Sequence, residues 1–365
     1  MHIKFKKETI LPALQSVISV VDRRQTLAIL GNILIEALSD KVILTATDLE
    51  VELETSFSAD VKEAGKITLP AKKFLDVIKN LDDGSDITLN LQSDRGIVRA
   101  EKSRYLFATL PANIFPGVDE IIDPVSFNIP QSQLKKLVDS TQFCMAIQDV
   151  RYYLNGVLFE LWHNSIRAVS TDGHRLALAE IDLDLPFTEP YQIIVPRKGV
   201  LELFRLLEDN EDIITITLGL NHISVDLPDV KFISKLIDGN YPAYRKVIPD
   251  AIMCTSVEKE SFRKALLRAS VVSNVKVRAA RLSIENNIFI IQTENQENEE
   301  AKEEISCNYS GEKIDVAFNI GYLLDSLNVL SGDTINIAFA VTNGSCLISE
   351  IDDSRFKYVV MPMRI

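Results

Sequence analysis

Apolar positions recur along this chain in a fixed order: a strand-like run, a helix-spaced run, then further strands. Ile3 and Phe5, two residues apart, lead into Ile10, Leu11, Leu14, Val17, Ile18 and Val21, whose spacing puts them on one helical face. Phe127 and Ile129 lead in the same way into Leu134, Leu137, Val138, Thr141 and Met145, and Val257 into Phe262, Leu266, Ala269 and Val272. A strand–helix–strand element follows each time, over residues 67–91, 191–218 and 314–341. Pro70 and Pro196 stand just before its helix, where proline is favoured, and Asn319 takes that place as an expected N-cap. The turn after the helix is Asp82-Asp83-Gly84, then Asp209-Asn210-Glu211, then Ser331-Gly332-Asp333. Each third closes on a hairpin leading to Pro111, Pro242 or Pro362.

This order predicts three diverged copies of one α+β unit of roughly 120 residues, a typical domain size. Domains are expected at 1–124, 125–249 and 250–365. A chain of 365 residues is too long for one ordinary core, and 46% hydrophobic with 25% charged residues is a globular composition. No apolar run is long enough to span a bilayer, and the start Met1-His2-Ile3-Lys4 lacks the apolar segment of a signal peptide. A cytoplasmic protein without membrane contact is expected. Cys144, Cys254, Cys307 and Cys346 are isolated and the four histidines scattered, so neither a disulfide framework nor a metal site is expected.

A net charge of -13 argues against nucleic acid until its distribution is considered. Arg23, Arg24, Lys72, Lys73, Lys79, Lys135, Lys136, Arg197, Lys198, Arg205, Arg263, Lys264 and Arg268 lie on or beside the predicted helices. Acidic residues crowd the turns and hairpins, as in Asp82-Asp83 and 294–304. Helices lining one surface can therefore be basic while the outside is acidic, although solvated helix faces give the same pattern. Catalysis finds little support. His174 next to Asp172 could serve as a base, but no nucleophile motif, metal motif or P-loop accompanies it, and a tight turn at Asp172-Gly173 explains the residues equally. The stretch Gln148 to Leu154, with Arg151, Tyr152 and Tyr153, reads as a loop entering a strand or as a contact to a phosphate backbone. The apolar end Tyr358 to Ile365 reads as a strand docked in a sheet, its methionines either core or an adaptable surface.

Leu30-Gly31-Asn32, Thr47 to Glu50, Gln148 to Gly156, Thr171 to Leu176, Val195 to Gly199, Tyr309-Ser310-Gly311 and Val359 to Arg364 together resemble the bacterial DNA polymerase III beta subunits, the sliding clamps, in order and over the whole chain. The resemblance implies the DNA clamp fold: three similar domains per chain and a head-to-tail dimer, forming a ring of six domains with helices lining the hole. It implies no catalysis and no cofactor. The partners implied are double-stranded DNA without sequence preference, the polymerase III catalytic subunit, an ATP-driven clamp loader, and other polymerases and repair proteins. These proteins dock through short linear motifs, typically a Gln followed by Leu and Phe.

Carried over residue by residue, DNA contacts fall on Arg24, Lys72, Gln148, Tyr152 and Tyr153, with Lys72 replacing a frequent Arg and losing its planar fork. The partner-peptide pocket falls on Leu154, Thr171, Gly173, His174, Arg175, Leu176, Pro242, Val247, Val359, Met361, Pro362, Met363 and Arg364. Lys246 stands where relatives carry Arg. In a head-to-tail ring the basic hairpin with Arg104 can face acidic Glu300 and Glu304, with Tyr105, Phe107, Val271 and Val272 as apolar anchors.

Overall fold

The computed structural model describes residues 1–21, 27–118, 123–249, 253–274, 277–340, 344–351 and 353–364. The first third carries β1 (His2–Lys6), α1 (Lys7–Val17), β2 (Asn32–Ala37), β3 (Lys41–Thr47), β4 (Val51–Ser58), β5 (Asp60–Glu63), β6 (Gly65–Pro70), α2 (Ala71–Lys79), β7 (Asp86–Gln92), β8 (Arg95–Ala100) and β9 (Ser103–Ala108). The second carries β10 (Val125–Pro130), α3 (Gln131–Gln142), β11 (Gly156–Trp162), β12 (Ser165–Thr171), β13 (Arg175–Asp182), β14 (Tyr191–Pro196), α4 (Arg197–Leu206), β15 (Ile213–Leu218), β16 (His222–Asp226) and β17 (Lys231–Lys235). The third carries β18 (Met253–Glu258), α5 (Lys259–Val272), β19 (Ala279–Glu285), β20 (Ile288–Glu294), β21 (Glu300–Ser306), β22 (Ile314–Asn319), α6 (Ile320–Asn328), β23 (Thr334–Phe339), β24 (Cys346–Glu350) and β25 (Phe356–Val360). The three thirds thus repeat one element order, with β5 an addition in the first.

Local chemistry explains the helix ends. Asn319 Oδ1 accepts the backbone N–H groups of Gly321 and Tyr322, the expected cap of α6, and Glu258 caps α5 by accepting from Ser261. The first helix is shorter than its apolar face predicts. It stops at Val17 and a 3₁₀ turn over Ile18–Val20 continues the face, leaving Val20 and Val21 buried. Likewise α3 ends at Gln142, and Met145 is buried beyond it.

Each repeat builds two four-stranded antiparallel sheets, which the apolar pattern does not reveal. In the first repeat these are β1-β7-β8-β9 and β6-β2-β3-β4, in the second β10-β15-β16-β17 and β14-β11-β12-β13, and in the third β18-β23-β24-β25 and β22-β19-β20-β21. One rule joins repeats: the last strand of a repeat pairs with the strand that ends the second sheet of the repeat before it. By this rule β17 lies antiparallel to β4, with Phe232 opposite Leu53, and β25 to β13, with Val359 opposite Leu176. Two eight-stranded sheets result, and β9 and β21 remain as edges with a neighbour on one side only among the described strands.

Contacts divide the chain into two compact units: Met1–Lys135 with Lys198–Leu236, and Lys136–Arg197 with Ile237–Ile365. The first unit packs Ile3, Leu14, Phe74, Ile78 and Phe232 at its centre, and the second Phe262, Phe289, Phe318, Phe339 and Tyr358. None of the four cysteines is paired in a disulfide.

Candidate partner pocket and nucleic-acid contacts

The turn between β12 and β13 is built by its own side chains. Thr171 Oγ1 accepts the Gly173 N–H at 3.1 Å and donates to the Arg175 carbonyl at 2.6 Å. Asp172 Oδ1 accepts the N–H groups of His174 and Arg175 at 2.9 and 3.0 Å. Gly173 has φ +89°, and a Cβ there would approach the Arg151 guanidinium within 3.1 Å, so the turn requires glycine. His174 is left exposed at the tip. Asp172 is occupied by these N–H groups and by Arg175 Nε at 3.1 Å, so it does not orient His174 as a base.

Three separated segments come together beside this turn. The second repeat and the tail meet through the β13–β25 ladder, and the Met361 N–H donates to the His174 carbonyl at 2.9 Å. The Met363 N–H continues to the Ala317 carbonyl at 2.7 Å. Leu176, Leu178, Val359 and Tyr244 are buried in one cluster, against which Tyr153, Tyr241, Ile248 and Met361 pack half-buried. Leu176 and Val359, buried in this cluster, support the surface rather than form it, and Leu154 is buried at the end of the loop at 148–154. Met361, Pro362 and Met363 are half-buried, whereas Gly173, Pro242, Val247 and Arg364 are exposed and Thr171 is buried. Lys246 is exposed at the end of a 3₁₀ turn over Tyr244–Lys246.

That turn is anchored from below by Glu160, which the sequence reading missed because nothing local marks a strand glutamate as buried. Its carboxylate accepts from the Tyr244 hydroxyl at 2.5 Å, from Arg167 and Arg245 at 3.2 Å each, and from Gln192 at 2.7 Å. Burial pushes the Glu160 carboxyl up, but the Tyr244 hydroxyl and the two guanidiniums outweigh it and hold it below the usual range. A polar cavity of about 520 Å³ opens over this network, lined among others by Leu178, Tyr244, Arg245 and Ile248.

Arg175, one of the pocket residues implied by the resemblance, is committed within the fold. Its guanidinium donates to Asp172, to Asp325 of α6 at 2.5 Å and to the Phe143 carbonyl at 2.6 Å. It lies 4.4 Å from the Tyr322 ring centroid and 5.5 Å from that of Phe143.

The loop at 148–154 displays its polar residues. Gln148 is exposed with φ +54°, and the Asn155 side chain clamps Asp149 by accepting its N–H at 2.9 Å and donating to its carbonyl at 2.8 Å. Arg151 donates to both Asp149 carboxylate oxygens, holding that carboxyl down at about 2. Tyr152 is 55% exposed and stands edge-on to Tyr153 at 5.7 Å. Lys72 is half-buried on α2, while Lys73, Lys79 and Lys264 are exposed. Arg23 and Arg24 lie outside the described residues. Other helix cations are neutralised locally: Arg205 by Glu202, Arg263 by Glu260, Arg268 by Glu303 and Lys198 by Asp48.

At the free edges, Arg104 and Leu106 of β9 are exposed, Tyr105 is half-buried, and Phe107 is buried edge-on to Phe74 at 6.0 Å. Phe107 therefore has little surface to offer a second chain, and Leu106, 51% exposed, is the larger apolar face. Val271 is 84% exposed and Val272 half-buried. Glu300 and Glu304 of β21 are exposed, the latter 2.6 Å from Lys302.

Models of the N-terminal, central and C-terminal domains of the DNA polymerase III beta subunit match residues 1–119, 128–243 and 245–364. The chain belongs to the DNA polymerase III beta subunit family. Beta sliding clamps of Pseudomonas aeruginosa and Escherichia coli are 42% and 38% identical to it, each alignment covering both chains completely. A crystal structure of the DNA polymerase III subunit beta from Pseudomonas aeruginosa, 41% identical, superposes with a TM-score of 0.97 over the whole of both chains. A Caulobacter crescentus beta sliding clamp with polyethylene glycol bound to its putative beta-motif tethering region, 33% identical, gives 0.94 over 100% of this chain and 99% of that one. Membership gives the chain the role of a sliding clamp in DNA replication, a non-catalytic processivity subunit. No helix among the described residues is long and apolar enough to cross a membrane.

Proposed function

We propose that two copies of this chain close head to tail into a ring that encircles duplex DNA in the cytoplasm and holds the replicative polymerase on it. The observation that carries this reading is the joining rule of the sheets. β9 is the last strand of its repeat, the kind that β17 and β25 are, and β21 ends a second sheet, the kind that β4 and β13 are. Both are left over in a single chain, and β9 of one copy laid on β21 of the next satisfies the same rule. In this ring the domains run 1–124, 125–249 and 250–365. Leu106, Tyr105, Val271 and Val272 supply apolar contact, and Arg104 faces Glu300 and Glu304. Arg24, Lys72, Gln148, Tyr152 and Tyr153 touch the phosphate backbone without reading sequence, so direct affinity is low and salt-sensitive. Retention comes from topology. After loading by an ATP-driven loader, the protein should remain on circular DNA and be lost when the circle is cut; equal retention on both would refute encirclement.

The convergent segments near His174 supply the docking site for polymerases, the loader and repair proteins. Met361, Pro362, Met363, Pro242 and Val247 form an apolar wall over the floor of Leu154, Leu176 and Val359, with Gly173, His174 and Arg364 at its rim and Thr171 and Arg175 holding the turn from within. Burying one Leu and one Phe of a partner peptide supplies roughly 3–6 kcal/mol before ordering costs, which fits affinity on the order of micromolar. Deleting Met361 to Ile365 should abolish peptide binding while sedimentation still reports a dimer. Full binding by the truncated chain would refute the pocket.

A further inference from the structure

We infer that Asp325 of α6 is a positioning residue for the partner pocket, acting through Arg175, an inference that rests on the docking reading above. Arg175 opens β13 and belongs to the turn that displays His174, yet its guanidinium faces away from exposed surface, with its side chain only 13% exposed. Three acceptors hold it: Asp172 within the turn, the Phe143 carbonyl just after α3, and Asp325 on α6. Asp172 acts within the turn, where Oδ1 takes two backbone N–H groups and Oδ2 takes Arg175 Nε. Asp325 is different. It lies on an element of the third repeat, is 43% exposed, and fixes Nη1. The Tyr322 ring, one turn earlier on α6, covers the guanidinium face at 4.4 Å.

The consequence follows from the next links in the chain. The His174 carbonyl accepts the Met361 N–H, and Val360 pairs with Arg175 itself, so the turn's position sets where the tail methionines sit. With Asp325 removed, Arg175 keeps a countercharge in Asp172 and an acceptor in Phe143, so the fold is retained. The turn loses its ion pair to α6 and keeps only the Tyr322 ring contact there, so the pocket it shapes with Met361 loses preorganisation.

The test is a double-mutant cycle read by anisotropy of a fluorescein-labelled peptide carrying Gln followed by Leu and Phe, with dimer sedimentation and thermal unfolding as controls. Asp325→Ala should weaken binding about three- to tenfold with the dimer unchanged. Asp325→Asn, which keeps an oxygen acceptor, should restore part of the loss and serves if the Ala variant is unstable. In an Arg175→Met background, Asp325→Ala should have no further effect, because the acting group is already gone. Wild-type affinity in Asp325→Ala, or the same loss in both backgrounds, would overturn the inference. Failure of the wild-type chain to bind the peptide at all would instead overturn the docking reading.

Discussion

Replacing Glu52 by Gln should make the protein more stable at pH 8 and leave it almost unchanged at pH 5. Glu52 sits on β4 between β3 and β17 and is 7% exposed; the Val118 backbone N–H and the charge of Lys231 offset its burial in part, and Glu54 opposes ionisation. Burial is the largest effect and pushes the carboxyl from 4.5 to about 7. A carboxyl raised in the folded state takes up its proton more readily there than in the unfolded chain. Its favourable contribution is complete below pH 4.5 and is lost as pH rises through 7, so charging it costs the fold. At about 1.36 kcal/mol per pH unit, the cost reaches ~3 kcal/mol near pH 8. Gln keeps the oxygen that accepts from Val118 but cannot ionise. For a unit of this size 1 kcal/mol moves the midpoint by about 2–4 °C, so the first thermal transition at pH 8 should rise on the order of 5–10 °C. Scanning calorimetry at pH 5, 6.5 and 8 makes the comparison. Equal midpoints at pH 8, or a gain of the same size at pH 5, would show that buried charge at Glu52 is not the cause.

Glu160→Ala should lower stability by about 3–5 kcal/mol in denaturant titrations, because Arg167 and the Tyr244 hydroxyl lose their shared acceptor; a loss below 1 kcal/mol would show the network to be dispensable. Gly156→Ala should fold poorly, since its Cβ would fall 2.4 Å from the Val195 carbonyl oxygen on the paired strand, and a normal yield of dimer would show that β14 can shift. Leu106→Asp with Val271→Asp should shift sedimentation at micromolar concentration from dimer to monomer without changing the circular dichroism spectrum. Tyr152→Ala with Tyr153→Ala should slow loading on DNA; of the two single variants, Tyr153→Ala should also weaken peptide binding, because only that ring packs on the pocket cluster.

The repeat was legible because each copy keeps its apolar spacing, and Asn319 was legible as a cap because its role is settled within three residues. What stayed hidden depends on pairing across long stretches of chain. Phe232 and Leu53 lie opposite one another in a sheet, yet no local pattern says that β17 should choose β4. The candidate pocket residues came from the resemblance carried by Thr171 to Leu176 and Val359 to Arg364, since β13 and β25 both mix charged with apolar positions, and the identity of the anchors beneath them was not legible at all. Glu160 interrupts an otherwise apolar strand, Val157 to Trp162, and its partners Arg167, Arg245 and Tyr244, which make its burial tolerable, come from other elements. Phe107 read as an interface anchor for the opposite reason: its partner Phe74 comes from a helix more than thirty residues away.

The shared joining rule has a kinetic corollary. Inside one chain the β17–β4 and β25–β13 joints are tethered because their strands belong to one chain, which keeps them at an effective concentration on the order of millimolar. The β9–β21 joint of the proposed dimer would follow the same joining rule but have no tether, so it would re-form only as fast as separate molecules or a separated edge can find each other. In the ring proposed above, six alike joints would include two gates, chosen by chain connectivity and not by weaker chemistry at the seam. Amide exchange should reflect this: protection of β9 and β21 should fall on dilution, while β4, β17, β13 and β25 keep theirs.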